Sequence, residues 1–181
     1  MKKVFLLALA LIAFNFASAQ EEGSSTASGQ TAKGKWLIEA NTGFGGAHTA
    51  DTGIRFMSQG DVSSWNIGLD GGYFIMDDLA LKAGLGYGAF DNGTTDTNTF
   101  SYKIGAKYYV ISKIPVSLDY TGSSTKDAVE DPSYLGFGAG YAIFLGENVS
   151  IEPGLRYNLS LNDDFTEDGL FRINIGFALH F

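Results

Sequence analysis

The sequence predicts an all-β chain folded as an eight-stranded antiparallel transmembrane β-barrel of the up-and-down kind. Three observations predict it. Large apolar residues alternate with polar or small ones in segment after segment, 24 glycines stand against only three prolines, and tight turns alternate strictly with longer connections. Successive side chains of a strand point to opposite faces, so each such segment carries two faces of different character.

The first nineteen residues read as a cleaved secretory signal: Lys2 and Lys3, an apolar stretch from Val4 to about Phe16, and Ala17-Ser18-Ala19 before Gln20. Residues 20–34 are rich in Ser, Thr, Gly, Ala and Gln without apolar period, which predicts a flexible leader. Residues 35–181 form the barrel. The absence of cysteine excludes disulfides and thiolate metal sites. Removing the two signal lysines takes the net charge from -8 to -10, which excludes attraction to nucleic acid phosphates.

The eight strands are predicted from their apolar faces. The first carries Trp36, Ile38, Ala40, Thr42 and Phe44, the second Trp65, Ile67, Leu69, Gly71 and Tyr73, and the third Leu79, Leu81, Ala83, Leu85 and Tyr87. The fourth runs from Phe100 to Val110, and the fifth has Val116, Leu118 and Tyr120. The sixth holds Leu135, Phe137, Ala139, Tyr141 and Ile143, and the seventh Val149, Ile151, Pro153, Leu155, Tyr157 and Leu159. The eighth is Phe171 to Phe181, with Phe171, Ile173, Ile175, Phe177, Leu179 and Phe181 on one face. Pro153 lacks the N–H its ladder position would use, so a bulge or local widening is expected there.

The opposite faces combine glycines with Glu39, Asp70, Lys82, Lys103, Lys107, Asp119, Glu152, Arg156 and Arg172. A solvent-facing sheet surface is dense in long charged residues, whereas this face is about as rich in glycine as in charge. Aromatic residues gather near strand ends on the apolar face, as rings do at membrane interfaces. Both observations place the polar face inside and the apolar face against lipid. Ile75 to Asp78, Ser112 to Lys113 and Leu145 to Asn148 are then short periplasmic turns. Gly46 to Ser63, Phe90 to Asn98, Thr121 to Ser133 and Ser160 to Gly169 are four long, acidic extracellular loops.

The signal, the glycine-interleaved hairpin from Gly72-Tyr73-Phe74 through Leu79-Ala80-Leu81 and the Phe-terminated last strand resemble the outer membrane protein beta-barrel domain family. Its members are small eight-stranded barrels of Gram-negative outer membranes, similar to the outer membrane protein A and X types. The resemblance spans roughly residues 35–181 and implies an outer-membrane location and this architecture; the expected partners are outer-membrane lipids and lipopolysaccharide, and a monomer is expected. It also implies that Phe177, Leu179 and Phe181 are read by the barrel assembly machinery. It implies no single activity, because such barrels include structural proteins, adhesins and lipid enzymes.

Four carboxylates, Glu39, Asp70, Asp119 and Glu152, face five cations, Lys82, Lys103, Lys107, Arg156 and Arg172, across an interior that eight strands leave just wide enough for side chains. Unpaired charges there cost several kcal/mol, so a salt-bridged plug is expected ahead of a narrow porin-like conduit. An enzyme would need a nucleophile and a base, and His48 with Asp51 and Ser58, Ser63 or Ser64 is the one candidate set. Asp164 to Gly169 begins like a calcium loop but lacks the closing glutamate, since Ile175 stands there. Gly34-Lys35-Trp36 matches the start of lipocalins, soluble carriers of hydrophobic ligands, although no helix follows the last strand. The expected function is a non-catalytic envelope or surface-interaction role with an unnamed extracellular ligand, and no cofactor or metal.

Overall fold

A computed structural model of the chain describes residues 29–41 and 50–181. The predicted signal peptide, most of the leader, and Thr42 and Phe44 of the first strand lie outside these residues. Ten strands follow one another: β1 (Trp36–Asn41), β2 (Gly53–Gln59), β3 (Val62–Met76), β4 (Leu79–Asp91), β5 (Asp96–Val110), β6 (Ile114–Thr125), β7 (Ser133–Gly140), β8 (Ile143–Phe144), β9 (Val149–Ser160) and β10 (Leu170–His180). All pairings are antiparallel and join sequence neighbours except that β7 pairs with β9 past the short β8, and β1 closes the ring by pairing with both β10 and β3. Because β1 and β2 share one position in the wall, and β7 and β8 another, ten strands make an eight-stave closed barrel.

The predicted faces are the observed ones. Leu69, Leu85, Ile104, Leu155, Ile173 and Phe177 point outward and are exposed, Ile104 to 64% and Ile173 to 68%. Asp70, Glu39, Lys107 and Glu152 point inward and are buried, Asp70 completely.

Two departures come from strands reaching beyond the clean alternation. The connections at the end away from Trp36 and Phe181 are residues 60–61, 92–95, 126–132 and 161–169, so the first two are tight rather than long. β3, β4 and β5 extend through Val62–Ser64, Phe90–Asp91 and Asp96–Thr99, where polar residues occupy both faces and hide the period. The expected first loop also contains a strand, β2. In the β1–β3 register Asn41 would face Gly68, yet Gly53 faces it, twelve residues further along. The first stave is therefore broken, and the chain makes an excursion between its two halves.

Pro153 acts on its neighbour. β9 pairs regularly with β10 through Ile175 opposite Pro153, while on the other side β7 stops at Gly140 and β8 resumes at Ile143 in the same register. Tyr141 N–H donates to the Pro153 carbonyl at 3.0 Å, but proline has no N–H to return the second bond of that pair.

The leader was expected to extend to residue 34, yet its last residues are packed. Thr31 is fully buried, its hydroxyl donates to Asp78 Oδ1 at 2.5 Å, and its carbonyl accepts from Asp78 N–H at 2.8 Å. Gly34 N–H donates to the Phe74 carbonyl at 2.8 Å, and Gln30 Nε2 to that of Gly146 at 2.7 Å. A stretch without apolar period is thus held by hydrogen bonds across the barrel end.

Candidate functional site

The interior is built in three tiers. At the end near Trp36 and Phe181, Leu37, Phe74, Ala80, Tyr109, Ala142 and Ala178 form a buried apolar floor, with Phe144 against it. The His180 ring sits among its aromatics, 6.1 Å from the Phe74 ring, 5.6 Å from Phe144 and 6.1 Å from Tyr109. Sorting inward positions by charge and glycine missed this floor. The signal was present, since Leu37, Phe74 and Tyr109 share the parity of the charged residues and cluster at strand ends.

Above the floor lies the ionic tier. Glu152, Lys107, Glu39, Lys82, Asp70, Lys103 and Asp51 form one chain of alternating charge contributed by β9, β5, β1, β4, β3 and the segment before β2. Lys107 Nζ donates to Glu39 Oε1 at 2.5 Å and also reaches Glu152. Lys82 reaches Glu39 and, at 3.0 Å, Asp70 Oδ2, which Lys103 approaches at 3.1 Å while also reaching Asp51. Buried charges persist only when paired and hydrogen-bonded, and here each amine bridges two carboxylates. Glu152 Oε1 also accepts from Tyr109 Oη at 2.9 Å and Ser150 Oγ at 2.8 Å, and Ser150 lies 3.0 Å from His180 Nε2, tying this tier to the floor.

Asp51 corrects its own placement. It was assigned to an external loop, yet it enters the lumen beside Lys103. Ala50 is fully buried against Gly84, where a Cβ would overlap the Ala50 carbonyl, and Thr52 Oγ1 accepts from Asp70 N–H at 2.8 Å. The Ser/His/Asp set therefore loses its acid to an ion pair, and His48 lies outside the described residues.

Asp119 and Arg156 form a separate pair. The guanidinium grips both carboxylate oxygens, Nη1 to Oδ2 at 2.8 Å and Nη2 to Oδ1 at 2.5 Å, and its Nε donates to Asn158 Oδ1 at 2.8 Å. Arg172, the ninth predicted lumen residue, is inward-facing and half-buried but makes no ion pair with any described residue. A cavity of about 530 Å³ runs from this tier toward the end away from the floor, lined by Glu39, Asp70, Lys107 and Glu152 in the tier and by Asn41, Glu130, Tyr134, Asn158, Phe165 and Arg172 beyond it. No group of three or more metal-ligating side chains occurs among the described residues. Phe177, Leu179 and Phe181 form an exposed outward row on and just after β10.

No family model matches the chain, and no curated relative matches it. Among solved structures it is similar to the N-terminal β-barrel domain of Pseudomonas aeruginosa OprF, with 18% identity over 82% of this chain and 98% of that one, at a TM-score of 0.44. It is similar to the outer membrane protein OprG of Pseudomonas aeruginosa at 12% identity, over 84% and 98% of the two chains, at a TM-score of 0.49. It is also similar to Neisserial surface protein A, at 17% identity over 82% and 100%, with a TM-score of 0.43.

Proposed function

We propose that the chain is an integral outer-membrane barrel with a structural and surface-interaction role, neither catalytic nor conducting. The observation that carries this reading is the inversion of the wall, with charges inside and an apolar exterior outside. An exterior of this kind is stable only in hydrocarbon. Its height agrees. Trp36 and Tyr73 pack at one end and Trp65 and Tyr87 at the other, and Tyr73 and Trp65 are eight residues apart on β3. That span is about 27 Å along the strand. At a tilt of about 40° it rises about 21 Å across the membrane, within about 4 Å of the roughly 25 Å apolar band of such barrels.

The floor and the ionic tier oppose through-flow, leaving a cup. With the floor toward the periplasm, the cup opens outside the cell, and the acidic connections at 126–132 and 161–169 meet lipopolysaccharide and any extracellular ligand. The row Phe177, Leu179 and Phe181 is the segment we assign to recognition by the assembly machinery. The barrel wall is closed by one chain, which favours a monomer. The test is fractionation followed by planar-bilayer recording. Detergent-dependent extraction and no steady current are expected. Extraction without detergent would overturn the membrane reading and revive the soluble carrier, whereas steady current would overturn the closed lumen and favour the narrow channel.

A further inference from the structure

The interior charges balance in number but not in contact. The alternating chain from Glu152 to Asp51 has four carboxylates and three amines, and Arg156 is neutralised by Asp119. Arg172 supplies the missing positive charge without touching a carboxylate of the described residues. Its Nε is shielded from solvent and has no hydrogen-bond acceptor among the described residues. An arginine presents five N–H donors in a planar fork and cannot shed its proton, so burial of part of that fork without an acceptor is unfavourable.

Arg172 on β10 lies directly opposite Arg156 on β9, placing two guanidinium groups side by side in the cavity wall. Arg156 has its Nη1, Nη2 and Nε engaged by Asp119 and Asn158, so it adds positive potential beside Arg172 and offers it no acceptor. Below Arg172 on the same face, Asn174 Nδ2 donates to Asn41 Oδ1 at 3.2 Å, so that amide is engaged with its neighbour. Of the carboxylates that line the cavity, Asp51 acts on Arg172 by charge alone while its ion pair is with Lys103, and Glu130 accepts from Asn162 Nδ2 at 3.2 Å.

We propose that the outer cavity of the barrel is a binding site for a small oxyanion, a carboxylate or phosphate group, gripped by the Arg172 fork. Two oxygens of such a group match the spacing of a guanidinium edge, as Asp119 does on Arg156, whereas chloride offers no second oxygen. A cavity of about 530 Å³ has room for the body of a small metabolite behind that group. The inference depends on the cavity and not on which side of a membrane it faces.

The test uses the full folded chain in detergent micelles, with arginine side chains labelled with nitrogen-15. The Arg172 Nε resonance is identified by its loss in Arg172→Gln. Inorganic phosphate, acetate and chloride are titrated separately at constant ionic strength. A saturable shift of the Arg172 resonance with phosphate or acetate, and none with chloride, is expected, and which oxyanion shifts it distinguishes the two ligand sources. Binding followed by calorimetry should weaken about tenfold or more in Arg172→Gln. Arg172→Lys, which keeps the charge and the fold but not the fork, should lose the preference for oxyanions over chloride. Absence of a saturable shift, binding unaltered in Arg172→Gln, or equal response to chloride would each overturn the proposal.

Discussion

Arg156 reaches Asp119 across a strand that belongs to neither, passing over Gly136 of β7, where a Cβ would overlap the guanidinium. β9 and β6 are thereby joined through the lumen as well as through the ladder. Replacing Asp119 by Ala leaves a partly buried guanidinium without its partner, at a cost of about 3 kcal/mol. Replacing Gly136 by Ala should cost a similar share by displacing the same pair. Urea unfolding in lipid vesicles measures both, and the two effects should be strongly non-additive in the double variant.

A charge on the outward face should be penalised by depth. Ile104 stands near the middle of β5 and is 64% exposed on the barrel exterior. Ile104→Lys should lose about 2–4 kcal/mol of folding stability in vesicles. Stability unchanged in that variant would place Ile104 in water and contradict the membrane reading.

The strap formed by Ala50, Asp51 and Thr52 is seated on Gly84 and tied to Lys103. Gly84→Ala should push the Ala50 carbonyl away and weaken the Asp51 ion pair with it. Asp51→Asn should therefore cost less in the Gly84→Ala background than alone, with a coupling of about 0.5–3 kcal/mol in a double-mutant cycle. Additive effects would show that the two contacts are independent.

The turn after β5 holds Ile111 at a φ of 50°, with Ser112 beside it at 58°. A β-branched residue is strained in that region, which glycine and asparagine occupy with little penalty. Ile111→Gly should raise stability by about 1 kcal/mol, read as a higher urea midpoint with an unchanged slope. A loss would mean that the exposed Ile111 side chain makes a compensating contact with lipid.

Much of this molecule was legible because alternation is local. The outward and inward sets were readable from β3 to β10, since each residue reports its face by parity alone. Long-range pairing left no such mark: nothing near Arg172 in sequence distinguishes it from Arg156, yet only one of them has a carboxylate within reach. The lumen entry of Asp51 was hidden because the excursion breaks the alternation on which the reading depended. β2 was missed for the same reason, having polar and apolar residues mixed on both parities and exposure along its whole length.

The twelve-residue offset between β1 and β2 is an even number, and that parity matters for redesign. Joining Ala40 directly to Gly53 would put Gly53 where Asn41 stands, still facing inward, with Ile54 and Phe56 still facing outward. Excising residues 41–52 would thus keep the two faces of the stave while removing from the lumen the Asp51 carboxylate paired with Lys103 and the Asn41 amide paired with Asn174.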